Sequence, residues 1–495
     1  MKIRILAKVL GLITILIAVA MAICGILAQV DQYEIGRAAA NGLYYSAAIT
    51  FGFGLALYLI GWGKIERIPR REGVMIVGLT WIISGFFGSL PYILCEPGLS
   101  VSGAFFETVS GFTTTGSTVI TSLKEWPHGI LLWRSVTQWL GGLGILVLFV
   151  AILSSLGSGS KSLFRNESTF QSGEASTTRI RDTAQVLWRV YLILTTVCIL
   201  GLKVLGMTWF DSVCHTMTAV STGGFSPHDD SIAHFSSWKT AVFIELWLML
   251  FMFICSMNFL VWVLIIRKRW DRLKNEEEGK WFFIIVCAAI VLITGSVTIA
   301  SDGAHFWQNL REAAFTVVTI ISTTGFGLAD YDKWPLASLI IILALMLIGG
   351  CSGSTAGGMK VGRVLTAAKV IYQEVVHAFR PNQILRLKVN GNSLSNNARQ
   401  QAVIFVTVFA FLMIFGPFAV SVLEMNSDID ALTAVGAVAA TLGNIGPGFG
   451  QVGPTDNFAH FQPTTLFFLS LMMILGRLEL FALLVLFIPS AWRRF

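Results

Sequence analysis

Long apolar runs separated by short polar segments dominate this chain. A helix needs about 20 mostly apolar residues to cross the hydrocarbon core of a membrane. Ten runs of roughly that kind lie near residues 5–29, 40–62, 73–94, 129–154, 186–207, 240–266, 281–300, 336–350, 401–423 and 465–490. The first has the basic flank of a secretory signal, but its roughly 25 apolar residues exceed the usual run of about 7 to 15. The pattern therefore predicts about ten transmembrane helices.

Four shorter apolar segments lie between these runs, and each ends in small polar residues and glycine. They cover residues 105–118, 211–226, 312–327 and 431–448. Aligned on one glycine, they place Gly116, Gly223, Gly325 and Gly443 in register. Recurrence of one unit along a chain is typical of an internal repeat. Each unit is predicted to contain a long helix, a short helix of about 10 residues, a turn and a return helix.

These repeats predict an all-α membrane protein with a central pore. A helix of about 10 residues spans half of the hydrocarbon core, and irregular backbone at that depth must be covered by protein or line water. Four pseudo-symmetric helix, pore-loop and helix units can bring their turns to one axis. The expected boundaries are residues 1–72 for two N-terminal helices, then 73–160, 161–275, 276–395 and 396–495 for the four repeats.

The four turns offer uncharged oxygen atoms, which suits a bare monovalent cation. Burying such an ion is costly unless oxygen atoms replace its hydration shell, and backbone carbonyls can do so. Glycine leaves no side chain in the path, and helix C-termini direct partial negative charge toward it. Between each short helix and its aligned glycine there is no Asp or Glu. In the fourth turn, Leu442 stands where the others have Thr115, Thr222 and Thr324.

Composition and charge place most of the chain in lipid and orient it. Only 13% of residues are charged and 55% are hydrophobic, against about 25% and 45 to 50% in soluble domains. Of the 35 Lys and Arg residues, 26 fall at the termini and in alternate connecting segments, which predicts that both termini are cytoplasmic. The opposite segments are acidic and include Glu107, Asp211, Asp332 and Glu424. Because topology explains the basic residues, nucleic-acid binding is not expected.

A glycine-rich stretch interrupts the return helix of the third repeat. It comprises Gly349, Gly350, Cys351, Ser352, Gly353, Ser354, Thr355, Ala356, Gly357 and Gly358. Each glycine costs a helix about 1 kcal/mol, so five in ten residues predict that the helix is interrupted here. A phosphate-binding loop is disfavoured, because the Gly-Lys-Ser/Thr signature and a preceding strand are lacking.

Arg477 is a charged residue inside the last apolar run. Its insertion costs about 2.5 to 3.5 kcal/mol, which by default marks function. The simpler alternative is an arginine paired with Glu479, two positions further on, to hold helices together.

Several segments resemble the TrkH/TrkG family of potassium uptake proteins, within the superfamily that also holds KtrB and the HKT transporters. They are residues 105–118, 133–145 (WRSVTQWLGGLGI), 349–358, 441–448 (TLGNIGPG) and 476–487 (GRLELFALLVLF), and the two extra N-terminal helices also match. The resemblance implies a bacterial inner-membrane protein that transports potassium, with no organic cofactor in this chain. It also implies a homodimer and a TrkA-like cytoplasmic nucleotide-binding partner, for which the basic segments 161–183, 267–280 and 360–399 are plausible docking surfaces.

Carried over by residue, the resemblance assigns three further roles. Arg477 is expected in the pore below the filter as an electrostatic barrier, and residues 349–358 are expected to obstruct the pore and move in gating. The potassium-binding selectivity filter is expected at Thr114, Thr115, Gly116, Ser221, Thr222, Gly223, Thr323, Thr324, Gly325, Thr441, Leu442, Gly443 and Asn444.

Two other functions are weighed against potassium uptake. A sodium-coupled or sodium-permeable member of the superfamily is disfavoured, because serine at the first filter glycine marks sodium-permeable members and this chain has Gly116. An intramembrane enzyme would need convergent His, Cys or acidic groups at membrane depth, yet the seven His residues are dispersed. The sequence therefore favours an ion transporter without covalent chemistry.

Overall fold

The fold is helical throughout its membrane part. The computed structural model describes residues 3–30, 34–63, 70–142, 144, 177–266, 268, 270, 276–383, 387–389, 392–477, 485–489 and 492. Within them, the only strands form a small antiparallel hairpin, β1 (Lys388–Val389) and β2 (Asn392–Ser393), with Lys388 opposite Ser393. The predicted all-α class is confirmed.

Two long N-terminal helices pack tightly against each other. They are α1 (Ile3–Val30) and α2 (Glu34–Ile60). Glycine permits this closeness, because a Cβ on Gly11 would lie 2.6 Å from the Tyr58 amide nitrogen. Small residues at such contacts are typical of membrane helix pairs, since they let backbones approach.

The rest of the chain repeats one sequence of elements four times. The helices that enter each repeat are α3 (Arg70–Gly88, followed by the short α4, Leu90–Leu94), α7 (Thr177–Val204), α11 (Glu278–Ala300) and α15 (Asn396–Leu423). The short pore helices are α5 (Val101–Phe112), α8 (Trp209–Val220), α12 (Phe306–Ile321) and α16 (Ala431–Gly443). The return helices are α6 (His128–Gly142), α9 (Ala241–Ser256), α13 (Leu336–Ile348) and α17 (Pro463–Arg477).

Polar side chains start three of the pore helices. The side chains of Ser100, Thr208 and Asp430 accept hydrogen bonds from backbone amides of α5, α8 and α16, respectively. These residues are preferred N-caps, because their oxygen atoms satisfy amides that lack a partner within the helix. Each cap fixes where its short helix begins, and so where that helix ends near the axis.

The pore helices and return helices form a closed circle. Each pore helix packs against the return helix of its own repeat and against that of the preceding repeat, with α5 completing the circle on α17. This arrangement brings the C-terminal ends of the four pore helices together, as the repeat pattern predicts.

The return helices are shorter than the apolar runs that predict them. Six described helical segments are long and apolar enough to cross a membrane: Ile3–Gln29, Ala40–Ile60, Arg71–Leu94, Gln185–Val204, Glu278–Ala300 and Asn396–Leu423. The four return helices contain only 15, 16, 13 and 15 residues. The prediction of one continuous span over 240–266 is wrong, because the backbone breaks at Met257 and Asn258 before α10 (Phe259–Ile266). Most of 143–154 and residues 478–484 lie outside the described residues.

Candidate functional site

Each pore helix ends in a turn that begins with a left-handed residue. Thr114, Thr222, Thr323 and Asn444 have φ of 53°, 56°, 57° and 54°. Positive φ is strained for a β-branched residue such as threonine, at a cost of about 1 to 3 kcal/mol. Three threonines in this conformation, with Asn444 at the corresponding place in the fourth repeat, show that the turn conformation is imposed by the surrounding structure.

Hydrogen bonds fix the register of the four turns independently. The residue after each left-handed position donates its amide to the carbonyl five residues earlier. The four bonds are Thr115 to Ser110 (2.8 Å), Gly223 to Thr218 (2.7 Å), Thr324 to Thr319 (2.9 Å) and Ile445 to Ala440 (3.0 Å). The next residue is always a glycine with positive φ: Gly116 (89°), Gly224 (79°), Gly325 (80°) and Gly446 (106°).

This register corrects the alignment expected from the sequence for two repeats. The equivalent of Gly116 is Gly224 in the second repeat and Gly446 in the fourth, whereas the sequence alignment chose Gly223 and Gly443. The segment Ser221, Thr222 and Gly223 is therefore displaced by one position, and the segment Thr441, Leu442 and Gly443 by three. The first and third segments, at 114–116 and 323–325, keep the expected register.

The cause of the error is physical. Matching glycine letters ignores which residue takes the left-handed conformation, and both threonine and asparagine take it here. Leu442 lies inside α16 and is fully buried, so it does not replace a turn threonine. The residue that corresponds to Thr115 and Thr324 in the fourth repeat is Ile445.

In each turn the glycine packs against a backbone carbonyl of a neighbouring repeat, and the four contacts form a closed ring. A Cβ on Gly116 would lie 2.3 Å from the Gly223 oxygen, and one on Gly446 would lie 3.0 Å from the Thr115 oxygen. The other two distances are shorter. A Cβ on Gly224 would lie 1.8 Å from the Thr324 oxygen, and one on Gly325 would lie 1.8 Å from the Ile445 oxygen. We call the carbonyl groups of Thr115, Gly223, Thr324 and Ile445 the carbonyl ring. Each glycine lets the neighbouring repeat approach, so the four oxygen atoms converge.

Two side-chain oxygen atoms of the turns are buried without a hydrogen-bond partner. The hydroxyl of Thr114 and the side-chain oxygen of Asn444 make no hydrogen bond among the described residues. The other end of the Asn444 amide is well bonded, because its nitrogen donates to the Thr115 hydroxyl and to the Met473 carbonyl, both at 2.9 Å. Unpartnered buried oxygen atoms are costly, so these two suit an ion that would complete their coordination.

The predicted intramembrane loop lies directly against the turns. The loop of residues 349–358 follows α13, and α14 (Val361–Phe379) begins after Lys360. The Gly357 amide donates to the Thr323 hydroxyl (2.7 Å), and the Thr222 hydroxyl donates to that of Thr355 (3.3 Å). A Cβ on Gly357 would lie 2.6 Å from the Gly443 oxygen. The loop therefore contacts the second, third and fourth repeats at the inner ends of their pore helices.

Arg477 connects this loop to the first repeat. Its guanidinium donates to the carbonyl of Thr355 in the loop (2.7 Å) and to those of Gly141 and Gly142 at the end of α6 (both 3.0 Å). A cation at a helix C-terminus is stabilised by the partial negative charge there. Glu479, the alternative partner considered above, lies outside the described residues.

A buried carboxylate holds the base of the loop. Glu278, at the start of α11, is 3% exposed. One of its oxygen atoms accepts hydrogen bonds from the Ser352 amide (2.5 Å) and the Gly362 amide (2.8 Å). Glu278 thus ties the loop and the first turn of α14 to the third entering helix, a role that its sequence position did not indicate.

A buried ion pair in the first repeat binds the chain that follows the first and second turns. Glu107 and Arg134 are 2.8 Å apart and almost fully buried, and Arg134 also donates to the Ser226 carbonyl (3.0 Å). Glu107 accepts from the Val119 amide at 3.0 Å. The expectation that Glu107 is an outer-loop charge is therefore wrong, because it lies inside α5 and stabilises the chain beyond the turn.

Acidic residues lie above the ring at the side predicted to face outward. Asp332 follows the third turn, and burial together with the carboxylate of Asp330 raises the pKa of Asp332 from 3.8 to about 6. Among the described residues, no cluster of His, Cys, Asp and Glu has the geometry to hold a metal ion.

Together, the fold and the site define a class: multipass helical membrane proteins in which four half-crossing helices direct uncharged oxygen atoms to one axis. Residues 55–493 match the family model of TrkH, described as a cation transport protein. The Trk system potassium uptake protein TrkH of Halomonas elongata is 35% identical over the whole of both chains, and that of Escherichia coli K12 is 34% identical over the same extent. A crystal structure of the potassium transporter TrkH from Vibrio parahaemolyticus superposes with a TM-score of 0.86 at 31% identity, covering both chains fully. The chain belongs to the TrkH family of cation transport proteins, and is thus a transporter and not an enzyme.

Proposed function

We propose that this protein takes up potassium across a bacterial inner membrane through a selectivity filter built on the carbonyl ring. The relatives named above are potassium uptake proteins, which supports the choice of ion. The four repeats with the boundaries predicted from the sequence, and cytoplasmic termini, are part of this proposal. The proposal also includes that the chain holds no organic cofactor.

The closed glycine and carbonyl circuit carries the proposal. Four backbone oxygen atoms from four repeats can replace the hydration shell of an ion without adding net negative charge, which favours a monovalent cation. The proposed filter uses Thr114, Thr115 and Gly116, then Thr222, Gly223 and Gly224, then Thr323, Thr324 and Gly325, and finally Asn444, Ile445 and Gly446. The unpartnered oxygen atoms of Thr114 and Asn444 would bind an ion on the inner side of the ring.

The loop of residues 349–358 would close the path below the filter. It contacts the ends of three pore helices, and it is held both by side-chain hydrogen bonds and by backbone bonds to Cys255, Ser256 and Phe259. Arg477 would add a positive charge that repels a resident cation and so lowers flux while the loop is in place. Opening would require these contacts to change together.

Control of the loop would come from a separate chain. The sequence has no nucleotide-binding fingerprint, and the basic segments 161–183, 267–280 and 360–399 would offer docking surfaces for a TrkA-like nucleotide-binding subunit. Much of the first two segments lies outside the described residues. Assembly as a homodimer completes the proposal.

The test is uptake of radioactive rubidium or potassium into proteoliposomes with sodium as competitor, using Gly116→Ser. The added Cβ must displace the Gly223 carbonyl, so we expect selectivity for potassium over sodium to fall about tenfold, equivalent to about 1.4 kcal/mol. The matched control is Gly303→Ser, since Gly303 has φ of 81° but no atom within 4 Å of the added Cβ. Unchanged selectivity in folded Gly116→Ser would contradict the filter assignment.

A further inference from the structure

The second repeat lacks a side chain at its ring position. The first and third repeats have Thr115 and Thr324 there, and each hydroxyl is hydrogen-bonded to the residue two positions earlier. These bonds join Thr115 to Thr113 (2.7 Å) and Thr324 to Ser322 (2.8 Å). Gly223 can make no such bond, and Gly224 follows it, so the backbone of this turn has the greatest intrinsic freedom of the four.

A side chain from the first repeat fills the space that a threonine would occupy. A Cβ on Gly223 would lie 2.4 to 2.9 Å from atoms of the Gln138 side chain, which projects from α6. Gln138 is fully buried. Its nitrogen donates to the Gly223 carbonyl (2.6 Å), and its oxygen accepts from the Phe225 amide (3.0 Å). The carboxamide thus binds the chain on both sides of Gly224.

The same face of α6 makes a second contact with this segment. Arg134 precedes Gln138 by four residues, so the two side chains lie on one face of the helix. Arg134 donates to the Ser226 carbonyl (3.0 Å). One helix of the first repeat therefore fixes the path of residues 223–226 in the second.

This contact also makes one ring oxygen different from the others. Among the hydrogen bonds of the described residues, Gly223 is the only member of the carbonyl ring whose oxygen accepts from a side chain. A donated N–H competes for the electron density of the carbonyl and restricts rotation of its peptide plane. The geometry and field that this oxygen offers to an ion thus depend on Gln138.

We propose that Gln138 is a positioning residue that determines ion selectivity by fixing the Gly223 carbonyl in the ring. The inference rests on the proposed filter and deepens it, because it names a residue outside the four turns. Removal of the carboxamide should lower selectivity for rubidium over sodium about fivefold, equivalent to about 1 kcal/mol.

The test uses the full chain in proteoliposomes and three variants. Gln138→Ala should lower the rubidium to sodium ratio about fivefold with a smaller change in rubidium flux. Gly223→Thr alone should also lower it, because the new side chain collides with Gln138. The Gln138→Ala/Gly223→Thr double variant should recover most of the rubidium to sodium ratio, since the introduced threonine then occupies the space that the Gln138 side chain filled. The introduced hydroxyl can also bond to Ser221, which stands at the position of Thr113 and Ser322.

The control is Ser135→Ala on the same helix. Ser135 is buried, and its hydroxyl bonds to the Leu131 carbonyl of its own helix, so we expect no change in the ratio. A purely structural role for Gln138 would reduce yield and total flux without restoring selectivity in the double variant. Should Gln138→Ala fail to fold, Gln138→Met keeps a similar size but has no N–H or O–H to donate, and should lower the ratio similarly.

Two results would overturn the inference. One is an unchanged ratio in folded Gln138→Ala or Gln138→Met, and the other is a folded Gln138→Ala/Gly223→Thr double variant no more selective than Gln138→Ala. A further variant, Gly325→Ala, tests the filter assignment independently of Gln138. If Gly325→Ala changes the ratio while the Gln138 variants do not, only the role of Gln138 is wrong; if neither does, the filter assignment is also wrong.

Discussion

The carbonyl ring and the 349–358 loop lie in contact, yet they are built in opposite ways. Each repeat contributes the same backbone conformation to the ring, and glycine against carbonyl packing leaves no room for a side chain. The third repeat alone contributes the loop, which side chains of Glu278, Thr323 and Arg477 hold in place. Backbone bonds to Cys255, Ser256 and Phe259 also hold the loop. The ring thus depends mainly on backbone packing, whereas a substantial share of the contacts that hold the loop can be weakened by changing a side chain. In the proposed function, these are the requirements of a filter and of a gate.

The largest expected effect comes from breaking the ring with Gly325→Ala. The added Cβ would lie 1.8 Å from the Ile445 oxygen, so the fourth turn must move. We expect rubidium uptake by proteoliposomes to fall more than about tenfold, corresponding to about 1.4 kcal/mol or more. Gly303→Ala is the control, because its φ of 81° matches the 80° of Gly325 while its surroundings are open. Equal activity of the two variants would show that ring packing is unimportant.

The second prediction separates the two roles of Arg477, as a charge and as a bridge. Arg477→Ala should raise rubidium flux in the absence of a partner about tenfold, because both the positive charge and the bonds to three carbonyls are lost. Arg477→Lys keeps the charge but lacks the planar set of donors. Flux near wild type in Arg477→Lys would favour the barrier, and flux near that of Arg477→Ala would favour release of the loop. No change in either variant, at matched expression, would contradict both roles.

A smaller effect is expected at the base of the loop. Glu278→Gln keeps the size of the side chain but replaces the carboxyl group with a carboxamide, which weakens the bonds to Ser352 and Gly362 by about 1 kcal/mol. We expect partner-free rubidium flux to rise about threefold, with selectivity unchanged because the ring is untouched. The control is Glu277→Gln, which alters a partly exposed ion pair with Lys369. A fall in selectivity in Glu278→Gln would show that the loop and the ring are not separable.

The smallest effect concerns the acidic surface above the ring. The pKa of Asp332 is higher in the fold than its usual 3.8, so ionisation destabilises the folded chain. The stability that the neutral carboxyl provides is complete below pH 3.8 and is lost as the pH rises through about 6. Asp332→Asn should therefore unfold about 1 to 2 °C higher than wild type at pH 8, after allowance for solvent screening, and close to it at pH 4. A thermal melt at both pH values checks this, and an equal shift at both would exclude the carboxyl as its cause.

The sequence predicts the elements of both regions better than their register and contacts. Short apolar segments and five glycines in ten residues identify the pore helices and the loop, because length and glycine content directly limit a helix. Gly224 and Gly446 are equivalent to Gly116 because of their backbone φ angles, and an alignment of residue types carries no information on φ. Gln138 and Glu278 act through tertiary hydrogen bonds, and a single polar residue in or beside an apolar run carries no spacing signal. Glu107 could have been suspected from its place inside a predicted pore helix, where an unpaired carboxylate would be costly.

Covalent continuity of the four repeats has a consequence for how such a ring can change over time. In a ring of four identical subunits, one altered codon alters every quarter at once. In this chain each quarter is encoded separately, so Asn444 can stand where the others have threonine, and a glutamine from one quarter can replace the side chain that its neighbour lacks. Departure from symmetry is therefore open to selection at single positions, and the carbonyl ring can be adjusted one oxygen atom at a time.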